Sequence, residues 1–200
     1  KKGPNCYYNA IVEGKLNTRK IKFRNFFEMN ECQIGDYLSQ SGGMISKYKL
    51  DSLLYTIGDY RSVLENNHEL PQSLKSLRGK IIKINKTTKK SEILSIGHRN
   101  PQGLFYDDIN DVIISSEHGA FGGCEVNLNF SPLSKIKNFG WPISSYGEHY
   151  GSTLKFNEKV KINSPLYKSH SDHGFVEPVI YFNPAIAPSQ IINISDFIGQ

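Results

Sequence analysis

Residues 97–119 read Gly97-His98-Arg99-Asn100-Pro101-Gln102-Gly103-Leu104-Phe105-Tyr106-Asp107-Asp108-Ile109-Asn110-Asp111-Val112-Ile113-Ile114-Ser115-Ser116-Glu117-His118-Gly119. A glycine entry at Gln102-Gly103-Leu104 passes through a short acidic turn into the apolar run Val112-Ile113-Ile114, which ends in the polar Glu117-His118-Gly119. Turn formers on both sides of a β-branched run predict two strands and a loop. The same order occurs upstream. Gly42-Gly43-Met44-Ile45 leads through Asp51-Ser52 to Leu53-Leu54-Tyr55-Thr56-Ile57-Gly58-Asp59, and the spacing from entry to polar exit differs by one residue. Ala187-Pro188-Ser189-Gln190-Ile191-Ile192 reads as the entry to a third such unit. Repeated units of this kind suit four-stranded blades and predict an all-β fold, a β-propeller; a β-sandwich is the alternative that strand and turn content leaves open.

The rest of the chain has the same texture. Short apolar runs recur at Ala10-Ile11-Val12, Ile21-Lys22-Phe23, Ile81-Ile82-Lys83-Ile84, Val179-Ile180-Tyr181-Phe182 and Ile191-Ile192-Asn193-Ile194, each bounded by Gly, Asn, Asp, Ser or Pro. No stretch holds a 3.6-residue apolar period for three turns. Leu64–Leu77 could form a helical turn, but Pro71 interrupts it. Strands near 53–57, 81–84 and 112–116 are predicted, with no helix of three or more turns after residue 80.

Of the 200 residues, 38% are hydrophobic and 22% charged, which is a globular composition. No apolar run approaches the roughly 18–20 residues of a membrane-spanning helix. The net charge is +5, and its excess is concentrated in residues 71–90, which hold Lys75, Arg78, Lys80, Lys83, Lys86, Lys89 and Lys90 and no acid. Aromatic residues for base stacking are missing from that segment, so it reads as a solvated strand face and its turn rather than as a nucleic-acid surface. The three cysteines, Cys6, Cys32 and Cys124, show no metal-ligand spacing. Cys6 and Cys32 would pair in an exported protein and remain free thiols otherwise.

At the motif level the chain resembles the glucose/sorbosone dehydrogenase family, the pyrroloquinoline quinone (PQQ)-dependent aldose dehydrogenases. Residues 97–104 resemble its GHRNPQGL pattern. Glu117-His118-Gly119-Ala120-Phe121-Gly122-Gly123-Cys124-Glu125-Val126-Asn127 resembles EHGPxGGDEIN, and Asn138-Phe139-Gly140-Trp141-Pro142 resembles NYGWP. Ser76–Asn85 is similar to LxGKILRIN, Tyr55–Asp59 to YxTxGD, and Tyr181–Ser189 to WxPSIAPS. The resemblance implies about three blades of a six-bladed propeller. Residues 1–200 would then form a single partial propeller domain, completed by the rest of a longer chain or by a partner. It also implies a small-molecule sugar as substrate, no nucleic-acid partner, and a periplasmic or secreted location.

The cofactors implied by the resemblance are PQQ and Ca²⁺. PQQ is a planar tricarboxylate, so its site needs cations and a flat surface. Oxidation of an aldose at C1 also needs a base on the anomeric hydroxyl while hydride passes to the quinone. Arg99 and Asn100 match the family's cofactor-contacting pair, and a guanidinium suits carboxylate oxygens. His118, Gly119 and Cys124 fall in the cofactor loop, with His118 expected to orient the loop rather than act as base. The metal ligands implied are the Gly119 and Ala120 carbonyls, Glu125, and the Phe139 carbonyl, oxygen donors that suit a hard cation. Trp141 is expected in the core.

Two departures bear on activity. Cys124 stands where the family has an Asp of the cofactor site, and a neutral thiol is no carboxylate. The family's catalytic His, in HxxGR or HxxGGR ahead of YxTxGD, falls here on Ser39 or Gln40, within Ser39-Gln40-Ser41-Gly42-Gly43-Met44, so no catalytic base is identified. Loss of a general base typically removes about 10²–10⁴ in rate. His149 is the best-placed substitute by sequence. The alternative function is a catalytically silent propeller that binds carbohydrate or protein.

Overall fold

The computed structural model describes residues 6–17, 19–34, 39–62, 68–150 and 158–194. Its thirteen strands are β1 (Cys6–Tyr7), β2 (Ala10–Gly14), β3 (Phe23–Glu28), β4 (Gln33–Ile34), β5 (Gly42–Tyr48), β6 (Ser52–Ile57), β7 (Lys80–Asn85), β8 (Ser91–Ile96), β9 (Pro101–Asp107), β10 (Val112–Glu117), β11 (Cys124–Phe130), β12 (Lys137–Asn138) and β13 (Ile180–Phe182). Strands β5-β6-β7-β8 form one antiparallel meander, extended by a parallel pairing of β12 onto β8. Strands β9-β10-β11-β13 form a second, four-stranded antiparallel sheet. These two sheets are propeller blades, and β5 packs beside β9 where they meet. The β2–β3 hairpin forms a separate two-stranded sheet.

Period-two alternation explains the stacking. Along β6 and β7, Tyr55, Ile57, Ile82 and Ile84 face one side and pack with Ile11, Phe26 and Met29 of the hairpin region. Leu54 and Ile81 face the other side and pack with Leu104 and Ile113 of the second blade. The first blade is therefore buried on both faces, which is why its strands read as near-continuous apolar runs. Cys6 and Cys32 form a disulfide with Cα atoms 5.1 Å apart, pinning the region of the β1–β4 pair. Of the two readings left open by the sequence, the paired one holds.

The expected strands at 53–57, 81–84 and 112–116 are all present. The α-helix Glu158–Asn163 has six residues, under two turns. Three expectations need correction. Ile191–Ile194 makes no ladder; the segment runs beside β9, where a Cβ on Gly103 would come within 3.2 Å of the Ile191 nitrogen. In Leu64–Leu77 the turn is a 3-10 turn at Leu70–Gln72 with Pro71 near its start, and residues 63–67 lie outside the described residues. The basic run is not wholly a solvated face. Lys80 is fully buried, its Nζ donating to the carbonyls of Leu70 (2.9 Å), Pro71 (2.8 Å) and Arg78 (2.6 Å). Arg78 donates to Cys32 O at 2.5 Å. Both cations fasten loops to the blade, because buried carbonyls need donors wherever sheet pairing stops.

Candidate functional site

The turn between β8 and β9, residues 97–100, reaches the end of the blades from which β5 and β9 start. Its anchor is Glu117, the last residue of β10, only 4% exposed. Glu117 Oε1 accepts from His98 Nδ1 (2.9 Å) and Asn127 Nδ2 (2.9 Å), and Oε2 accepts from the Arg99 backbone N–H (2.7 Å). Because an ionised carboxylate only accepts, His98 carries its proton on Nδ1, and its Nε2 meets Ser95 Oγ at 2.8 Å. Burial pushes the Glu117 carboxyl up, but His98 and the Arg99 N–H outweigh it and hold the group below the ordinary carboxylate range.

Held by its backbone, Arg99 turns its guanidinium into the loop that follows β10. Nη1 donates to His118 O at 2.9 Å and to Gly119 O, and Cζ lies 5.3 Å from the Trp141 ring and 5.9 Å from the Tyr150 ring. Gly119 must be glycine: a Cβ there would meet Gly123 O at 1.9 Å. Gln40, in a left-handed conformation (φ 61°), bridges Arg99 and Asp59. Its amide nitrogen faces Asp59 Oδ1 and its amide oxygen faces Arg99 Nη2, each at 2.8 Å. Asp59 is fully buried and also accepts from Trp141 Nε1 (2.8 Å) and the Arg61 N–H (2.9 Å). Burial pushes its carboxyl up to about 6, against the opposing pull of Arg99 and these donors.

Asn100 Oδ1 accepts from Gly42 N (3.1 Å) and Gln102 Nε2 (3.0 Å), so both glycine entries lie at the same end as Arg99. Arg99, Asn100, Glu117 and Gly119 are thus brought together. His118 is half-buried, and burial lowers its imidazole pKa against the pull of the Pro188 backbone. Ala120 is buried beside Trp141, Val160 and Leu166. Cys124, a buried free thiol, opens β11 opposite Phe182. Ser39 is exposed, while Gln40 makes the contacts with Asp59 and Arg99. His149 Nε2 is bonded to Ser164 O at 2.8 Å, while it is the next residue, Tyr150, whose ring lies beside Arg99.

Glu125 is the cross-strand neighbour of Glu117. Its Oε2 faces Asn127 Nδ2 at 3.4 Å and its Oε1 faces His170 Nε2 at 3.4 Å. Burial, with the Glu117 charge, raises the Glu125 carboxyl, and His170 opposes the rise. Arg99, Glu117, Gly119, Glu125, Phe139 and His170 line one small cavity. Among the described residues no group of three or more His, Cys, Asp or Glu is disposed to hold a metal ion.

His98, Asp59 and His170 escaped the sequence reading as site residues. His98 sits inside the quoted motif, and Asp59 ends the first repeat where Gly119 ends the second. His170 carried no signal, since only the tertiary fold brings it to β11.

The sequence profile described as Glucose / Sorbosone dehydrogenase matches residues 2–196. The protein slr1608 of Synechocystis is 34% identical over 198 residues, covering 90% of this chain and 43% of that protein. The soluble aldose sugar dehydrogenase of Escherichia coli, solved in its apo-form, superposes with a TM-score of 0.67 at 26% identity, over 90% of this chain and 51% of that one. The PQQ-bound aldose sugar dehydrogenase of Streptomyces coelicolor shares the fold, with a TM-score of 0.60 at 24% identity, over 91% of this chain and 48% of that one. The chain spans about half the length of these relatives.

Proposed function

Because the chain belongs to the glucose/sorbosone dehydrogenase family, we propose that it forms the cofactor-facing part of a PQQ-dependent aldose dehydrogenase-type propeller, with Arg99 and Asn100 as the cofactor contacts. One observation carries this reading. Arg99 is 6% exposed, its direct partners are carbonyl and amide oxygens, and the Asp59 carboxyl that feels its charge is reached only through Gln40. A buried guanidinium with no carboxylate in direct contact is costly unless an anion completes it. A quinone carboxylate is such an anion, and the Trp141 and Tyr150 rings flank the place.

PQQ, when bound, supplies the two-electron acceptor for sugar oxidation. This chain's residues bind and orient. Glu117 fixes the Arg99 backbone, Gln40 fixes its Nη2, and Asn100 ties the two blade entries together. Proton removal from the sugar is the weak point. Gln40 holds the position beside Asp59 that the family motif gives to His, and an amide takes no proton near neutral pH. Asp59 is enclosed by donors and does not face outward. Oxidation is therefore slow, and a binding role for carbohydrate is the second reading, favoured by this same Gln40 bridge. Calcium beside the cofactor gets little support: the Gly119 carbonyl already accepts from Arg99, and Glu117 in the same cavity already accepts three hydrogen bonds.

Further blades complete the domain. Ile180 and Tyr181 of β13 at one side and Val12 and Phe23 of the β2–β3 hairpin at the other are exposed apolar strand residues, which suit blade-to-blade burial. The disulfide supports an exported, periplasmic or secreted location.

The test is titration of PQQ into the natural full-length chain and its Arg99→Met variant, followed by fluorescence quenching. Losing charge-assisted bonds worth about 1.5–3 kcal/mol should weaken binding roughly 10–100-fold. Equal affinity in the two proteins would remove Arg99 from the cofactor site.

A further inference from the structure

The Glu125–Phe139 corner is where the family resemblance places calcium ligands. We propose that in this chain a side chain closes that corner instead: the imidazole of His170 stands against Glu125 and Phe139, and calcium is neither bound there nor needed to hold the blade.

The donor set argues against a hard cation. Calcium takes six to eight oxygens at about 2.3–2.6 Å. Here Glu125 turns one oxygen to His170 Nε2 and the other toward Asn127 Nδ2, both at 3.4 Å. The neighbouring carboxylate, Glu117, already accepts three hydrogen bonds. The remaining acid near the ring, Glu177, accepts from Ser171 N (2.7 Å) and Tyr146 Oη (2.7 Å). Nitrogen from a buried imidazole is a poor calcium ligand. The adjoining cavity has room for about one water molecule.

The ring is also firmly seated. His170 is 1% exposed and stacks on Tyr146, with centroids 5.3 Å apart and planes 26° apart. Its Nδ1 would lie 2.9 Å from a Cβ on Gly140, so residue 140 is glycine in order to admit the ring. The carbonyl of His170 accepts from Phe175 N (2.9 Å) and His173 N (3.1 Å), and Val176 N bonds Asn138 O (2.9 Å). The 170–176 turn is thereby clipped to the same segment that carries Phe139. The Nε2–Oε1 approach at 3.4 Å is an ion-pair contact rather than a hydrogen bond; by it and by its backbone bonds His170 links β11 to that segment, which is the work a bridging cation would do.

The experiment uses the natural full-length chain, stripped with EDTA, with Tm measured in EDTA and in about 10 mM calcium, well above the 10⁻⁴–10⁻³ M dissociation constants of weak calcium modules. It is repeated with Glu125→Gln and His170→Ala. We expect any calcium-induced rise in Tm, arising elsewhere in the chain, to be the same in the wild type and Glu125→Gln. His170→Ala should lower Tm by roughly 5–10 °C, equally with and without calcium. A calcium-induced rise that disappears in Glu125→Gln would overturn the proposal. Should Glu125→Gln fail to fold, imidazole ¹H–¹⁵N spectra of the wild type decide: an unmoved His170 Nε2 resonance on calcium addition supports it, and a displaced one refutes it.

Discussion

Replacing Glu117 by Ala removes the acceptor of three buried donors at once: the His98 ring N–H, the Asn127 amide and the Arg99 backbone N–H. The last cannot turn elsewhere, since the 97–100 turn is fixed by His98 N to Gly79 O (3.2 Å) and Asp59 N to Arg99 O (2.8 Å). Each unsatisfied buried donor costs about 1–3 kcal/mol. His98 can shift its proton and Asn127 can rotate its amide, so the low end of the summed range of about 3–9 kcal/mol is expected, about 3–5 kcal/mol. For a domain of this size that is a fall in Tm of roughly 6–20 °C. Glu117→Gln keeps one good acceptor and should lose about half as much, because one donor must face the new amide N–H₂. The measurement is thermal unfolding by circular dichroism on the wild type and both variants. A Glu117→Ala protein melting within about 2 °C of wild type would mean that Glu117 does not anchor the Arg99 turn, and the derivation of the site from that anchor would fail.

Lys80→Met takes a donor from three carbonyls, of which Leu70 O and Pro71 O keep Ser73 N (3.1 Å) and Gly97 N (2.9 Å) while Arg78 O loses its Nζ partner, and should destabilise by about 1–3 kcal/mol, read from the urea midpoint; a loss below about 0.5 kcal/mol would contradict the loop-pinning role. Reduction of Cys6–Cys32, which closes a sequence separation of 26 residues, should cost about 3 kcal/mol, seen as a lower Tm in dithiothreitol; an unchanged Tm would show that the pair does not constrain the fold. For Asp59, burial raises the folded pKa to about 6 from an ordinary 3.8. The folded state thus favours the protonated form. The stability advantage is full below pH ~4 and is lost as pH rises to ~6, amounting to about 3 kcal/mol. Wild-type stability measured against Asp59→Asn should fall across that window, and a flat difference would refute the assignment.

Much of the fold was legible because both faces of the first blade are buried: the runs at 53–57 and 81–84 are apolar on alternate residues for two different neighbours, and the turn formers between them are unambiguous. The segment 191–194 misled because its apolar run packs along β9 without sheet pairing, which pattern cannot distinguish from a strand. Lys80 misled because a lysine in a basic run carries no mark of burial; only the Leu70–Gln72 turn, folded over its Nζ, reveals it. At the site, Arg99, Asn100, Glu117 and Gly119 were legible as loop residues at the ends of repeated strands. The Gln40 bridge was half legible: the motif put the family's His on Ser39 or Gln40, and of the two it is Gln40 that contacts Asp59 and Arg99. His170 was invisible, since its contact with Glu125 spans 45 residues of sequence, counted between positions 125 and 170.

With Gln40, tied between Asp59 and Arg99, at the proposed proton-acceptor position, the site is expected to hold cofactor but to oxidise sugar slowly. The most direct measurement is turnover of aldoses in a dye-linked assay with PQQ and Ca²⁺ supplied, on the natural full-length chain and on Gln40→His combined with Cys124→Asp. The account expects low wild-type turnover and a rise of roughly 10²–10⁴-fold in the double variant. Wild-type turnover in the ordinary enzymatic range of about 1–10³ s⁻¹, with no gain in the double variant, would contradict it and show that another group accepts the proton.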